Sequence, residues 1–406
     1  MRIERSLDTL TTSPVDLLKQ LIAIPSVNPM GQPVSGDIYY ETALTEWLVN
    51  LFETRGIPYR VQEVSPGRAN VVALYHSPGA TRTIMLDAHQ DTVPVEGMTV
   101  SPFDPVEEQG RLYGRGACDV KGGMAAMLSA FLRLGGSEEP SPNNVLLSCS
   151  CDEEATLGGI QRLADEWSEP AGKDDVDALL TQRPDFAIIA EPTLLNVINA
   201  HKGVIRWKLI VRGRACHSSA PHEGTNAIYR MGRVLALLEG YAQELAGPQK
   251  THPRLGPATL SVGVIKGGSS VNIVPDYCEI EIDRRLIPGE EGMSARESLF
   301  EYLSSRLDFE IEFSEPWVNV PPLSDEENGA LSRSLLTTIE AVAGPHKAVA
   351  VPFGTHASPV SAAGVPAVVF GPGSIEQAHT KDEWIEIKQL EQAAEIYYDY
   401  CRKSSI

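Results

Sequence analysis

Short apolar runs that alternate with helical patterns are the feature of this sequence that most restricts its fold. In the first half of the chain, the runs lie at residues 70–75, 83–86, 145–150 and 186–190. Apolar residues with helical spacing occur over 15–24, over 41–54 and around Met124. Strands that are apolar throughout and alternate with helices are typical of a mainly parallel sheet covered by helices on both faces. We therefore predict an α/β domain.

The pattern changes near residue 204, where apolar and polar residues begin to alternate strictly. Such alternation indicates strands with one face in water. In order, the segment predicts a strand, a helix, two strands, a helix and a strand, at 204–212, 225–245, 258–266, 277–287, 292–306 and 308–314. This βαββαβ order is the ferredoxin-like unit.

After Pro321 the first pattern returns. It predicts helices near 325–343 and 388–402 and an apolar strand at 367–370. We therefore predict a ferredoxin-like α+β domain, residues 204–318, inserted into an α/β domain formed by residues 1–203 and 319–406. A length of 406 residues also favours two domains over one.

The net charge and the apolar runs exclude several classes of partner. A formal charge of -20 argues against nucleic acid and against anionic membrane surfaces. No apolar run approaches the roughly 20 residues needed to span a bilayer. The N-terminal sequence lacks the apolar core of a secretory signal, so we expect a cytoplasmic protein. The six cysteines show no CxxC pairing and are expected to be reduced thiols.

Histidines and carboxylates follow the predicted strands of the α/β domain. They are His89 and Asp91 after 83–86, Glu153 and Glu154 after 145–150, Glu191 after 186–190, and His379 beyond a Gly-Pro-Gly loop after 367–370. Asp119 lies in a glycine-rich turn before the helix at Met124. Ligands bind at the carboxyl ends of the strands in such sheets, so we expect these side chains to converge. Gathered carboxylates repel one another unless cations compensate, which predicts a metal site.

The spacing of these residues suggests their roles. His89 and Asp91 are two apart in an extended stretch, so Asp91 can accept the free imidazole N–H of a metal-bound His89. Asp119 is the candidate to bridge two ions. The adjacent Glu153 and Glu154 cannot easily bind one ion together, so one should bind metal and the other should carry a proton from a metal-bridging water to a leaving nitrogen. These ligands suit zinc, and cobalt or manganese could substitute.

Motifs along nearly the whole chain resemble one family. They are HQDTVP at 89–94, GRGACDVKGG at 114–123, CDEEATLGG at 151–159, AEP at 190–192 and QAHTKDEW at 377–384. They are similar to the co-catalytic metallohydrolases that include acetylornithine deacetylase, succinyl-diaminopimelate desuccinylase, aminoacylase and a glutamate carboxypeptidase. The resemblance implies two divalent ions, which would be bound by His89, Asp119, Glu154, Glu191 and His379. It makes Asp91 the orienting carboxylate and Glu153 the general acid and base.

The inserted domain resembles the lid and dimerisation domain of that family, which implies a homodimer. His217 resembles the lid histidine that stabilises the tetrahedral oxyanion, often in the partner subunit's site. Asn272 and Arg285 resemble lid residues that contact substrate, and an arginine suits bidentate capture of a carboxylate. From the sequence alone, the three would be a surface histidine, a turn residue and a solvated strand residue.

The substrate is predicted from the same resemblance. Within that family, a glutamate at the position of Glu191 is found in deacylases and carboxypeptidases. Several motifs of this sequence are most like those of acetylornithine deacetylase. One departure is His356, which stands in the Gly-Thr-His-Ala turn where the family usually has an acidic residue. If that turn contacts substrate, His356 would remove a partner for an ammonium side chain. We predict hydrolysis of an N-acyl amino acid, with an N-acetylornithine-like substrate as the leading candidate.

Three other functions are compatible with parts of the sequence. A carboxypeptidase or dipeptidase would use the same metal ligands. A nucleotide-dependent enzyme could be argued from Gly114, Gly116, Gly122 and Gly123, but their spacing fits neither GxGxxG nor a P-loop. A non-catalytic metal-binding protein would be expected to have lost the proton carrier, whereas Glu153 is present.

Overall fold

The chain folds into two compact units. The computed structural model describes residues 11–137, 139–167, 178–247 and 251–403, so the first ten residues of the N-terminal sequence lie outside it. Unit 1 consists of residues 1–199, 325–349 and 355–406, and unit 2 consists of residues 200–324 and 350–354. The predicted boundaries at 204 and 318 both fall within unit 2. Residues 350–354 group with unit 2, because Val351 accepts a hydrogen bond from the backbone of Lys202.

Ten α-helices and one short 3-10 helix, Pro221–Glu223, lie in the described part of the chain. The α-helices are α1 (Pro14–Ile22), α2 (Thr42–Arg55), α3 (Lys121–Gly135), α4 (Gly158–Glu166), α5 (Ala178–Thr181), α6 (Ala227–Leu245), α7 (Gly292–Ser304), α8 (Asp325–Ala343), α9 (Ala357–Ala362) and α10 (Ile387–Cys401). In the described residues, no helix is long and apolar enough to cross a membrane.

The strands alternate with these helices. They are β1 (Tyr59–Ser65), β2 (Arg68–Tyr75), β3 (Arg82–His89), β4 (Val106–Glu108), β5 (Arg111–Tyr113), β6 (Asn143–Ser150), β7 (Phe186–Ile189), β8 (Val197–His201), β9 (Gly203–Arg212), β10 (Cys216–His217), β11 (Thr251–His252), β12 (Gly256–Pro257), β13 (Thr259–Gly267), β14 (Ile273–Val274), β15 (Tyr277–Leu286), β16 (Ile311–Phe313), β17 (Val318–Val320), β18 (Ala348–Val351), β19 (Ala367–Val369) and β20 (Trp384–Glu386).

An eight-stranded sheet with the order β1-β2-β6-β3-β7-β19-β8-β18 is the centre of unit 1. Its four middle strands, β6, β3, β7 and β19, are parallel to one another, as the apolar runs predict. The sheet is mixed outside this centre, because β1, β2 and β8 pair antiparallel with their neighbours. The mixed α/β class with helices flanking a large sheet confirms the predicted fold class.

Helix α3 packs closely on this sheet because two glycines, Gly122 and Gly123, follow its first residue. A Cβ atom at Gly123 would lie only 2.7 Å from the Cβ of Ala190, so a larger side chain would push the helix away. Met124, Met127 and Phe131 are buried in the same core. The helix therefore holds its N-terminal turn close to the carboxyl ends of the parallel strands.

Unit 2 has a five-stranded antiparallel sheet with the order β13-β15-β9-β16, in which β17 also pairs with β9. One face carries a core of apolar residues that includes Trp207, Met231 and Ile280. The opposite face carries charges, as the strict alternation predicts: Asp283 contacts Arg206 at 2.8 Å and Arg285 at 2.7 Å. When the two-residue strands β10, β11, β12 and β14 and the 3-10 helix are left aside, the strand and helix order within 203–313 is the predicted βαββαβ order.

Candidate metal centre

The four parallel strands bring histidines and carboxylates to one edge of the unit 1 sheet. His89 is the last residue of β3, Glu154 follows β6, and Glu191 follows β7. His379 lies beyond the loop that follows β19, and Asp119 lies in the turn before α3. The convergence expected from the carboxyl ends of parallel strands is therefore present in the fold.

Asp119 lies between the two histidines. Its Oδ1 is 3.2 Å from Nε2 of His89, and its Oδ2 is 3.4 Å from Nε2 of His379. The same His379 nitrogen lies 3.2 Å from Glu154. One ligand atom each from His89, Asp119 and Glu154 lie within 4.8 Å of one another. Because its two oxygens face different histidines, Asp119 has the arrangement that a bridging carboxylate requires.

Three glutamates share this edge, and the pKa of each carboxyl group is raised. Burial, opposed by His89 and reinforced by Glu154, raises the pKa of Glu153 to about 8. Burial and the charge of Asp119 raise the pKa of Glu154 to about 7, and the same two causes raise that of Glu191. Ionised carboxylates would repel one another here, so at neutral pH these groups retain protons that bound cations could replace.

The histidines respond to the same carboxylates in the opposite direction. Burial lowers the pKa of His89, but hydrogen bonding with Asp119 and the neighbouring Asp91 outweighs it, so the net pKa is well above the ordinary value. Asp119 and then Glu154 raise the pKa of His379 to about 10. The surrounding carboxylates therefore favour the protonated form of both imidazoles.

Nδ1 of His89 lies closer to the backbone oxygen of Asp91 than to its carboxylate, and the orienting role of the carboxylate stays a prediction. Nδ1 of His89 lies 2.9 Å from the backbone oxygen of Asp91 and 3.6 Å from its Oδ1, so the backbone oxygen is the acceptor. The carboxylate is occupied elsewhere: it accepts the backbone N–H groups of Glu153 and Glu154, both at 3.1 Å. Asp91 therefore fixes both the imidazole of His89 and the chain that carries the two glutamates.

Asp91 is held by a buried polar network that the sequence did not predict. Asn28 donates to Asp91 at 2.8 Å and to Asp152 at 3.0 Å, and its oxygen accepts from Arg68 at 3.0 Å. Arg68 in turn contacts Glu41 at 2.8 Å. These residues come from separate loops and strands, so no local spacing could have identified them.

His356 lies beneath the metal-ligand cluster. It is 1% exposed, its Nδ1 is 2.9 Å from Asp87, and Ser150 is 3.1 Å away. Ser150 donates to the other Asp87 oxygen at 2.8 Å, so His356 Nδ1 donates to Asp87. Its ring packs edge-on against His89, with ring centroids 6.2 Å apart. Nδ1 of His356 is engaged by Asp87 in this buried position, and the substrate contact of His356 stays a prediction.

The three residues predicted from the lid resemblance lie in unit 2. His217 is exposed, and its Nδ1 accepts the backbone N–H of Ser219 at 3.1 Å. Asn272 is also exposed. It lies beside His217, since its backbone oxygen accepts the backbone N–H of Ser218 at 3.0 Å. Arg285 is part of the charged face of the sheet, where its guanidinium donates to both oxygens of Asp283. The structure thus brings His217 and Asn272 together and pairs Arg285 with a carboxylate.

The donor set fits divalent metal ions. In the part of the chain that the structure describes, the ion pairs of Asp119 and Glu154 are with histidine alone, and no arginine or lysine pairs with Glu153 or Glu191. Imidazole nitrogens and carboxylate oxygens suit zinc, cobalt or manganese.

The chain is similar to known proteins along most of its length. Residues 85–403 match peptidase family M20/M25/M40. An acetylornithine deacetylase of Proteus mirabilis (strain HI4320) is 32% identical over 394 residues, 94% of each chain. An acetylornithine deacetylase of Myxococcus xanthus is 31% identical over 325 residues, 80% of each chain.

Solved structures share the fold at lower identity. An M20-family metallo-carboxypeptidase from Sulfolobus solfataricus has a TM-score of 0.73 at 19% identity, covering 96% of this chain and 98% of that chain. A dinuclear metal-binding M20-family peptidase from Bacillus subtilis has a TM-score of 0.67 at 15% identity, covering 96% and 97%. This protein therefore belongs to peptidase family M20/M25/M40, a family of metal-dependent amide hydrolases.

Proposed function

We propose that this protein removes the acyl group from an N-acyl amino acid at a centre of two divalent ions. The observation that carries the proposal is Asp119, whose two oxygens face His89 and His379 beside the buried glutamates. The acetylornithine deacetylases at 31–32% identity favour deacylation and make an N-acetylornithine-like substrate the leading candidate.

Five residues would hold the ions. They are His89, Asp119, Glu154, Glu191 and His379, with Asp119 as the bridge. Bound divalent ions would polarise the scissile carbonyl and lower the pKa of a water molecule towards neutrality. Zinc is the proposed metal, with cobalt or manganese able to replace it.

Glu153 would act as the proton carrier. Its backbone N–H donates to Asp91 at 3.1 Å, which fixes its place at the edge of the sheet. Its pKa of about 8 in the absence of cations would fall when positive charge offsets Glu154 and Asp119. A carboxylate with a pKa near neutrality can accept a proton from the attacking water and deliver it to the leaving nitrogen.

His217 would donate to the oxyanion of the tetrahedral intermediate. Because its Nδ1 accepts the N–H of Ser219, the neutral ring carries its proton on Nε2. That N–H belongs to an exposed side chain and is the group a developing negative charge needs. Asn272 and Arg285 would contact the rest of the substrate, with Arg285 exchanging Asp283 for a substrate carboxylate.

Unit 2 would also form the homodimer. Strand β13 is an edge of its sheet, and an edge strand offers unpaired backbone groups to another chain. Ile265 on this strand is 54% exposed, and Tyr229 near the start of α6 is 77% exposed. Light scattering should give the mass of a dimer, and Ile265→Lys should shift it towards the monomer. A monomer for the unsubstituted protein would contradict a partner's histidine acting in this site. The cytoplasmic location stays a prediction from the N-terminal sequence.

The decisive experiment is amine release by the zinc- or cobalt-loaded protein, with a chelator-treated control. The panel would hold N-acetylornithine, other N-acetyl amino acids, N-succinyl-diaminopimelate and several dipeptides. Metal-dependent release from an N-acyl amino acid is the expected result. Turnover of dipeptides alone would replace the deacylase by a peptidase, the alternative that the carboxypeptidase fold neighbour favours. No turnover of any compound would contradict both.

A further inference from the structure

Glu383 is a fully buried carboxylate whose oxygens all contact the turn that carries Asp119. Its Oε1 accepts the backbone N–H groups of Cys118 and Asp119, both at 2.9 Å. Its Oε2 accepts the N–H of Gly116 at 3.0 Å and the guanidinium of Arg115 at 2.7 Å. Four donors that include a guanidinium make a strong, directional set of hydrogen bonds.

The turn needs such an acceptor to keep its shape. Three of its backbone N–H groups point to one place, and buried N–H groups without a partner are rare because they cost free energy. Gly116 has a φ of 80°, in the left-handed region, and a Cβ atom there would lie 2.8 Å from Cγ2 of Thr92. The turn is therefore tightly enclosed, and its direction is set by Glu383.

The segment that contains Glu383 also contains His379, a candidate metal ligand. His379 lies shortly before Glu383 in the chain, and its Nε2 is 3.4 Å from Oδ2 of Asp119. One segment thus carries a ligand and also holds the backbone of the carboxylate that faces it. We infer that Glu383 is a positioning residue that presents the Asp119 carboxylate to the metal ions, an inference that rests on the proposed metal centre.

Two substitutions separate charge from geometry. Glu383→Gln keeps the size of the side chain, but its NH2 group would face two of the four donors, whichever way the amide is turned. Glu383→Asp keeps the charge and shortens the reach. Glu395→Gln is the matched control, because Glu395 is an exposed glutamate that pairs with Arg133 at 2.8 Å.

The test measures Zn²⁺ affinity by competition with a chromophoric chelator, in the full chain and without substrate. We expect Glu383→Gln to raise the Zn²⁺ dissociation constant by about tenfold or more, and Glu395→Gln to leave it unchanged. In an Asp119→Ala background, Glu383→Gln should change the constant by less than about twofold, because the residue through which it acts is absent. If Glu383→Gln does not give folded protein, Glu383→Asp takes its place in both backgrounds, with an intermediate loss expected.

The failures are distinguishable. An equal loss of affinity with and without Asp119 would show a general structural effect and overturn the inference. Full affinity in Glu383→Gln, with reduced affinity in Asp119→Ala, would overturn the inference and leave the metal centre intact. Full affinity in Asp119→Ala itself would overturn both.

Discussion

The sheets of the two units surround their carboxylates with opposite kinds of neighbour. On the charged face of unit 2, Glu279 lies 3.1 Å from Lys208, and Asp283 contacts both Arg206 and Arg285. At the edge of the unit 1 sheet, the described ion-pair partners of Asp119 and Glu154 are histidines that must take up protons. The unit 2 carboxylates are paired with permanently charged lysine and arginine side chains, as on an ordinary solvated protein surface. Gathered carboxylates without such cations are the arrangement expected of the proposed metal centre.

The largest effect should come from Glu153, at the edge of the unit 1 sheet. Glu153→Gln removes the proton carrier while leaving the metal ligands in place, so kcat should fall by about 10²–10⁴-fold with metal content unchanged. Steady-state kinetics and metal analysis of the same sample would measure both. Glu279→Gln, in the paired cluster of unit 2, is the control and should keep its activity. Wild-type turnover by Glu153→Gln would show that Glu153 is not the carrier.

The response of stability to pH and metal should be smaller. The pKa values of Glu153 (about 8) and Glu154 (about 7) exceed 4.5 in the folded protein, so it binds protons that the unfolded chain has released. This contribution is complete below pH 4.5 and is lost as pH rises through 7 and 8. The contribution of His379 is present below pH 6.5 and is lost as pH passes about 10, in the same direction.

The chelator-treated protein should therefore have a lower free energy of unfolding near pH 8 than near pH 6. Zinc at about 100 times its dissociation constant should add about 2.7 kcal/mol. The zinc-dependent rise in melting temperature should be greater at the higher pH, because metal and protons compete for the same groups. Thermal denaturation with and without zinc at both values measures it. A rise that is independent of pH would contradict the assignment of these groups as ligands.

Arg285 and Arg206 test whether a paired charge in unit 2 also serves the substrate. Both contact Asp283, so each substitution to alanine removes the same kind of surface pair. If Arg285 captures a substrate carboxylate, Arg285→Ala should raise KM by about tenfold, or about 1.4 kcal/mol, whereas Arg206→Ala should not. Equal KM values for the two variants would remove Arg285 from the site.

The smallest effect is expected where charges are paired at the surface. Lys208→Ala removes a contact with Glu279 from a side chain that is about one-third exposed. Such pairs contribute below about 1 kcal/mol, so urea denaturation should detect little change and activity should be preserved. A loss of several kcal/mol would show that the charged face of unit 2 is not an ordinary solvated surface.

The sequence predicted the parts of this molecule in which apolar residues recur with the spacing of a strand or a helix. The apolar runs predicted the parallel centre of the sheet. The polar residues after them, together with Asp119 in its glycine-rich turn, predicted His89, Asp119 and Glu154 as neighbours. The antiparallel strand β1 was not predicted, because its exposed and buried residues do not form a continuous apolar run.

The supporting residues of the site could not be predicted for a different reason. Asn28 and Asp91 are in contact although they are 63 positions apart in the sequence, and Glu383 and Asp119 are 264 positions apart. His356 was recognised as a departure from a motif, but only packing shows that it pairs with the buried Asp87. Polar contacts between distant loops leave no periodic pattern in a sequence.

The position of β19 in the sheet has a consequence for how the chain acquires its shape during synthesis. This strand inserts between β7 and β8, although about 165 residues of chain separate it from them. Until residues 367–383 have been synthesised, the sheet has a vacant central position, and both His379 and Glu383 are missing. A nascent chain therefore presents His89, Asp119 and Glu154 without their partners. The proposed metal centre would capture an ion tightly only after this segment has been made, so its occupancy would report that the central strand is in place.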